Sequence, residues 1–375
     1  MSVCKKLSVF AVSVILLLSL IPCIFQASAL SVSAGSAILI DAKSGLVLFE
    51  KNADKVRSMA STTKIMTAVV AIERYDLDAN VKIPAAAVGI EGSSIYLCEG
   101  EVLTLRQLLY ALLLSSANDA ATAIALHCAG SIEAFADMMN DTARRLGLVN
   151  THFDNPHGLD SDSHYTTAKD LAKLAAYAIT INEFKTISST YKAQIPMAGT
   201  ENARLLVNHN KLLRSYDGII GVKTGFTKKS GRCLVSAAER DGTILVAVTL
   251  NAPDDWADHK AMLDFGFDNY SSVDLTKDIA TLPLPVISGD VSTLQCAPKE
   301  PLSAMLPRDH GTILCRIEMD RFAYAPVKQN EVVGRIYYFC DGRELGCTDI
   351  ITLQESRLKK QKYTIWDRIS DFFTR

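Results

Sequence analysis

No tract of the sequence is of low complexity, and none repeats at a fixed interval. With 39 Lys and Arg against 41 Asp and Glu, the net charge is −2, too even for a protein that tracks a phosphate backbone, and no nucleic-acid partner is expected. No two cysteines are spaced as CxxC, which argues against a zinc ribbon or a dithiol redox pair, and no HExxH is present to hold a hydrolytic zinc. Of the nine cysteines, Cys4 and Cys23 fall in an amino-terminal leader, and the other seven, an odd number, cannot all pair internally. Cys315, Cys340 and Cys347 lie close enough in sequence for one disulfide, and the spacing leaves that open.

What is present begins with Lys5 and Lys6, a nearly uncharged run over 7–25, and Ala27-Ser28-Ala29. This is the pattern of a signal peptide cut after Ala29; an uncleaved anchor is the alternative, because the run is long for a signal core. Either way the rest of the chain is expected to be exported, and 49% hydrophobic content over 375 residues suffices for about two buried domains.

The stretch that organises the chain is Ser61-Thr-Thr-Lys64, opening an apolar run to Ile72 without Gly or Pro. The run reads as a buried helix with Ser61 at its amino end. Residues three apart share a helix face, so a hydroxyl and an amine can meet there. Burial and the positive helix end both lower a lysine pKa, which a lysine needs if it is to take a proton from a serine nucleophile. SxxK also occurs by chance, so the rest of the chain has to supply the context.

Strands at 36–40 and 46–50 flank a turn and form a hairpin. Thr104 caps a leucine-rich helix that breaks at 115–119; helices resume at Ala120, at Ser131 and at Thr167, and the 152–160 segment is a loop. Strands are expected at 218–224, 232–240 and 243–250, the last two joined by Asp241-Gly242, followed by a helix over about 254–263. Strands at both ends with helices between them imply an α/β domain whose sheet is assembled from distant segments. Past Tyr270 the Pro- and Gly-punctuated short strands suggest a small all-β domain. In the tail, Ile365, Trp366, Ile369, Phe372 and Phe373 share one face of an amphipathic helix preceded by Lys359, Lys360 and Lys362. Such a helix suits a membrane interface, the alternative being packing on its own domain.

Two further stretches complete a constellation. Ser116-Ala117-Asn118 sits where the leucine-rich helix breaks, bringing a second hydroxyl and an amide; Lys223-Thr224-Gly225 ends a strand, bringing a cation, a hydroxyl and room for close approach. SxxK, SxN and KTG in this order resemble the serine peptidase S11 family, the low-molecular-weight penicillin-binding D-alanyl-D-alanine carboxypeptidases. The match extends to Phe153-Asp-Asn-Pro-His-Gly-Leu159, to Asp217-Gly218 and to Gly221-Val222 before the KTG triplet. The resemblance implies an α/β (α+β) serine transpeptidase/β-lactamase-like domain over 30–275, a β-rich domain over 276–357 and a C-terminal amphipathic anchor over 358–375, after a signal peptide over 1–29. It also implies Ser61 as nucleophile, Lys64 as base, Ser116 and Asn118 managing the proton and the substrate amide, and Lys223 and Thr224 on the terminal carboxylate, with Gly225 and Phe226 beside them. The oxyanion hole would be the backbone N–H groups of Ser61 and Phe226. The implied substrate is the peptidoglycan stem peptide, with β-lactams as covalent inhibitors, no cofactor, no metal, and action on the outer face of the membrane.

Two departures stand out. Some relatives hold the carboxylate with an arginine shortly before Gly266; here that stretch has none, leaving His259 or Lys260 to substitute. Met59 stands where the family often has Pro. Rival readings are a β-lactamase, for which no ExxLN stretch lies between Asn118 and Lys223; a metal hydrolase built on His152, His157, His164, Asp154 and Asp160; and a non-catalytic wall-binding protein of the same fold.

Overall fold

A computed structural model describes residues 30–360; the expected leader and most of the amphipathic tail lie outside the described residues. The chain opens with β1 (Ser36–Asp41) and β2 (Val47–Lys51), paired antiparallel as the hairpin pattern predicts. Then come α1 (Lys64–Arg74), the short ribbon β3 (Asn80–Lys82) with β4 (Val102–Thr104), and the helices α2 (Leu105–Leu114), α3 (Asn118–Ala129) and α4 (Ile132–Arg145). Next are α5 (Ala168–Ala178), α6 (Asn182–Ser189) and the hairpin β5 (Lys192–Pro196) and β6 (Ala203–Val207). β7 (Ile219–Thr227), β8 (Gly231–Arg240), β9 (Thr243–Leu250) and α7 (Asp255–Asn269) close this part.

The central sheet runs β2-β1-β9-β8-β7, so strands from the two ends of the domain lie side by side. Alternation along each strand decides its two faces. Ile38, Ile40, Val246 and Val248 enter the core shared with the helices, while the intervening Leu39 and Leu245 meet α7. Gly266 allows that contact, since a Cβ there would come within 2.5 Å of Leu245. On α2, Leu105, Leu108, Leu109, Leu112 and Leu113 are all buried, each contributing about 1.5–3 kcal/mol of burial. Thr104 and Gln107 form a complete capping box at its start.

Past α7 come β10 (Tyr270–Asp274), β11 (Leu282–Ile287), β12 (Thr293–Pro298), β13 (Ser303–Pro307), β14 (Ile313–Met319), β15 (Ala323–Tyr324), β16 (Val332–Cys340) and β17 (Arg343–Thr352). Six of these make the sheet β14-β16-β17-β12-β11-β15, over a core of Leu284, Cys296, Val333, Ile336, Tyr338 and Ile350. An α/β domain is thus followed by an all-β domain.

Three differences from the sequence reading have physical causes. α6 and the β5–β6 hairpin were not anticipated, because eight residues anchored mainly by Phe184 and Ile187 give little periodicity to read. α7 runs past the expected end near residue 263 to Asn269, with Gly266 inside it packed against Leu245 and Leu39. Finally, the seven cysteines of the described residues are all free. Cys315 stands opposite Tyr338 and Cys347 opposite Tyr337, so the sheet register keeps the thiols of the expected cluster apart.

Candidate active site

Ser61 lies in a 3-10 turn, Ala60–Thr63, just ahead of α1. Ala60 has φ +48, a left-handed conformation costly for a residue with a Cβ, and the turn needs outside support to keep it. Thr62 Oγ1 donates to Met59 O at 2.6 Å and Thr63 Oγ1 to Ala60 O at 2.8 Å. The 153–159 loop presses on the turn at Gly158, whose φ is +89 and where a Cβ would stand 2.0 Å from Ala60 O. On the other side Gly225 leaves room for the Ser61 amide, 3.0 Å from where its Cβ would be.

One turn on, Lys64 is fully buried. Its Nζ sits 3.0 Å from Ser61 Oγ, 2.6 Å from Asn118 Oδ1 and 2.5 Å from the carbonyl oxygen of His157. Burial, then the charge of Lys223, hold its pKa well below the ordinary lysine value, against an opposing pull from Asp119. A neutral amine has two N–H donors and one lone pair. Asn118 Oδ1 and His157 O can only accept, so they take the two N–H groups and the lone pair is left to face the Ser61 hydroxyl.

Asn118 begins α3 and its Nδ2 donates to Glu91 O at 2.5 Å, which fixes the amide orientation. Ser116 is buried in a left-handed turn with φ +58. None of the Lys64 hydrogen bonds goes to Ser116, although both serines line the same cleft. Asp119, buried behind them, accepts from Ser94 Oγ at 2.6 Å and from Leu97 N at 3.0 Å, pinning the 93–97 loop at the cleft's edge.

Lys223, Thr224, Gly225 and Phe226 lie on β7, the outer strand of the central sheet among the described residues. Lys223 is buried, donates to Thr224 O at 2.9 Å, and is pushed down to about 7 by desolvation. Thr224, Gly225 and Phe226 border a cleft of about 320 Å³ with Ser61, Ser93, Ser116, His209, Lys211, Arg232, Asp255 and Trp256. Of the eight residues singled out in the sequence, Ser61, Ser116, Thr224, Gly225 and Phe226 line the cleft, Lys64 and Asn118 meet beneath Ser61, and Lys223 is buried on β7 against the Thr224 carbonyl.

The histidines of the 152–164 segment have other duties. His164 Nε2 bonds Thr63 Oγ1 at 2.7 Å, its Nδ1 accepts from Asp154 N at 3.0 Å, and burial pushes it down to about 4. His157 accepts at Nδ1 from Leu159 N at 3.2 Å. Among the described residues no group of three or more His, Cys, Asp or Glu is placed to hold a metal. His259 does not substitute for the missing arginine: it is fully buried, between Ser236 Oγ at 2.5 Å and Thr249 Oγ1 at 3.0 Å.

The profile of the D-alanyl-D-alanine carboxypeptidase family matches residues 24–254, and that of the penicillin-binding protein 5 C-terminal domain matches 271–357. The chain belongs to the D-alanyl-D-alanine carboxypeptidase family. It is 31% identical to the D-alanyl-D-alanine carboxypeptidase DacF of Bacillus subtilis over 343 residues, 88% of each chain. Against DacA of Escherichia coli it is 31% identical over 86% of this chain and 84% of that one. The structure of penicillin-binding protein 5 from Haemophilus influenzae superposes with a TM-score of 0.73 at 26% identity, covering 87% of this chain and 98% of that one. The Streptomyces K15 DD-transpeptidase gives 0.60 at 36% identity over 64% of this chain and 98% of that one.

Sequence reading missed several groups that border the cleft or hold Lys64 and Asn118. The His157 and Glu91 carbonyls are backbone groups with no signature of their own. His209 on a loop, Arg232 on β8 and Trp256 on α7 come from three separate segments, and only the β7–β8 register, Phe226 opposite Arg232, could have drawn in one of them.

Proposed function

We propose that the chain is a serine-type D-Ala-D-Ala carboxypeptidase that removes the terminal D-alanine from peptidoglycan stem pentapeptides through an acyl-enzyme on Ser61. The observation that carries this reading is the placement of a fully buried Lys64 Nζ 3.0 Å from Ser61 Oγ, with Asn118 Oδ1 and the His157 carbonyl as its two other partners and with burial lowering its pKa. In the acylation step Ser61 Oγ forms a bond to the carbonyl carbon of the penultimate D-alanine while its proton passes to Lys64. The oxygen of the tetrahedral intermediate lies between the N–H groups of Ser61 and Phe226, each such donor being worth about 3 kcal/mol. Collapse breaks the peptide bond, and the leaving amine takes a proton returned through Ser116. Water then attacks the ester, Lys64 again acting as base, and the stem tetrapeptide leaves.

β7 would align the peptide as an added strand, with Thr224 and Lys223 toward its terminal carboxylate and Asn118 Nδ2 toward its backbone carbonyl. A β-lactam acylates the same serine, but its leaving group stays tethered and bars the water. The leader over 1–29 and the tail over 358–375 support export and attachment to the outer face of the membrane. Among the described residues no helix is long and apolar enough to cross it. The reading is tested by incubating the protein with a pentapeptide ending in D-Ala-D-Ala: D-alanine should be released by the wild-type chain and not by Ser61→Ala. Equal release by both would overturn it.

A further inference from the structure

The cleft's floor and its cations do not match the position where the resemblance puts an arginine. The first turn of α7 offers Asp255 and Trp256 instead, and the arginine at the cleft is Arg232, on β8. Phe226 stands opposite Arg232 and Thr224 opposite Leu234, so Thr224 and Arg232 are diagonal neighbours on one face of the sheet. Diagonal Cβ atoms are about 7 Å apart, within reach of a long side chain.

Arg232 is held in place. Its Nε and Nη2 donate to Asp255 Oδ1 at 3.0 and 2.6 Å, and its guanidinium lies 5.8 Å from the Trp256 ring centroid. Asp255 is buried, whereas the Arg232 side chain is 43% exposed. The pair uses Nε and Nη2, which leaves Nη1 for an incoming acceptor. Lys223 is buried below with its ammonium turned to the Thr224 carbonyl, so a permanently charged, planar donor beside Thr224 complements it. Lys211 also lines the cleft, 6.0 Å from the Trp256 ring, but with no carboxylate bracing it among the described residues.

We propose that Arg232, braced by Asp255, is the second cationic contact to the substrate's terminal carboxylate and makes the cleft select peptides that end in a free acid. This rests on the carboxypeptidase reading. The test compares two peptides ending in D-Ala-D-Ala, one with a free carboxylate and one with a C-terminal amide, on the wild-type chain and on Arg232→Gln, Arg232→Lys, Asp255→Asn and Lys211→Gln. The expected result is a loss of about 10- to 100-fold in kcat/KM for the free acid with Arg232→Gln, mostly in KM, with the amide unaffected. Arg232→Lys should recover part of it. Asp255→Asn, which removes the bracing carboxylate but leaves the Arg232 guanidinium in place, should raise KM for the acid alone, and it serves if Arg232→Gln does not fold. An equal loss on both peptides, no loss with Arg232→Gln, or loss of selectivity with Lys211→Gln instead would each overturn the assignment. Release from neither peptide by the wild-type chain would overturn the carboxypeptidase reading itself, a separate outcome.

Discussion

Lys64 Nζ lies 3.0 Å from Ser61 Oγ, and the two other directions around the nitrogen end on oxygens that can only accept. An ammonium would satisfy all three; an amine satisfies the two acceptors and turns its lone pair to the serine. Burial and Lys223 favour the amine.

Acylation by penicillin should therefore rise with pH along a limb whose pKa lies well below 10.5, as Lys64 loses its proton. Removing the Lys223 charge in Lys223→Gln removes one cause of the depression, so the limb should move to higher pH. Lys64→Arg, which cannot lose its proton, should lower the acylation rate by about 10²–10⁴-fold at every pH. Stopped-flow acylation across pH 5–10 measures all three, and a limb that Lys223→Gln moves downward would contradict the electrostatic account.

Binding should take up a proton. Lys223 sits at about 7 in the empty site because it is desolvated, and an anionic carboxylate beside it favours the charged form. The pKa rises on binding, so near pH 7.5 the complex holds more protons than the free partners. Calorimetric titration of Ser61→Ala with the pentapeptide, in buffers of different ionisation enthalpy, should show net uptake. Proton release would sink this role for Lys223.

Arg204 on β6 is a structural tie at the edge of the site. It donates to both carboxylate oxygens of Glu101, to Pro196 O at 3.0 Å and to Tyr96 O at 3.2 Å, and both ends of the ion pair are nearly buried. Arg204→Ala leaves Glu101 buried without its partner and should cost about 3–5 kcal/mol of stability, read by urea unfolding. A cost below about 1 kcal/mol would mean that water replaces the arginine freely.

Gly158→Ala tests the loop that steadies the nucleophile turn. The added methyl meets Ala60 O at a residue with φ +89. Stability should fall by more than about 1 kcal/mol, and acylation should slow as the Ser61 turn shifts. A variant with wild-type acylation would show that the 153–159 loop does not position Ser61.

How much of this was legible follows from the kind of information each part needs. Ser61 and Lys64 are three residues apart on one turn, so their meeting is a local property, and the Asp241-Gly242 turn declared its hairpin just as locally. Asn118 and Lys223 reached the site only through pattern, since nothing near either residue says what it will face. The His157 carbonyl could not be read at all, because a backbone acceptor carries no letter. His259 misled: a histidine near the missing arginine suggested a substitute, but its position on α7 turns it into the sheet, toward Ser236 and Thr249. Arg232 was readable in principle, through a register that needed both strands placed to the residue.

The most direct test is mass spectrometry of the protein after exposure to penicillin. A single adduct of the full mass of the antibiotic, located on the peptide containing Ser61 and absent in Ser61→Ala, is the predicted result. An adduct on another residue, or none with the penicillin left intact, would contradict the assignment of Ser61 as nucleophile.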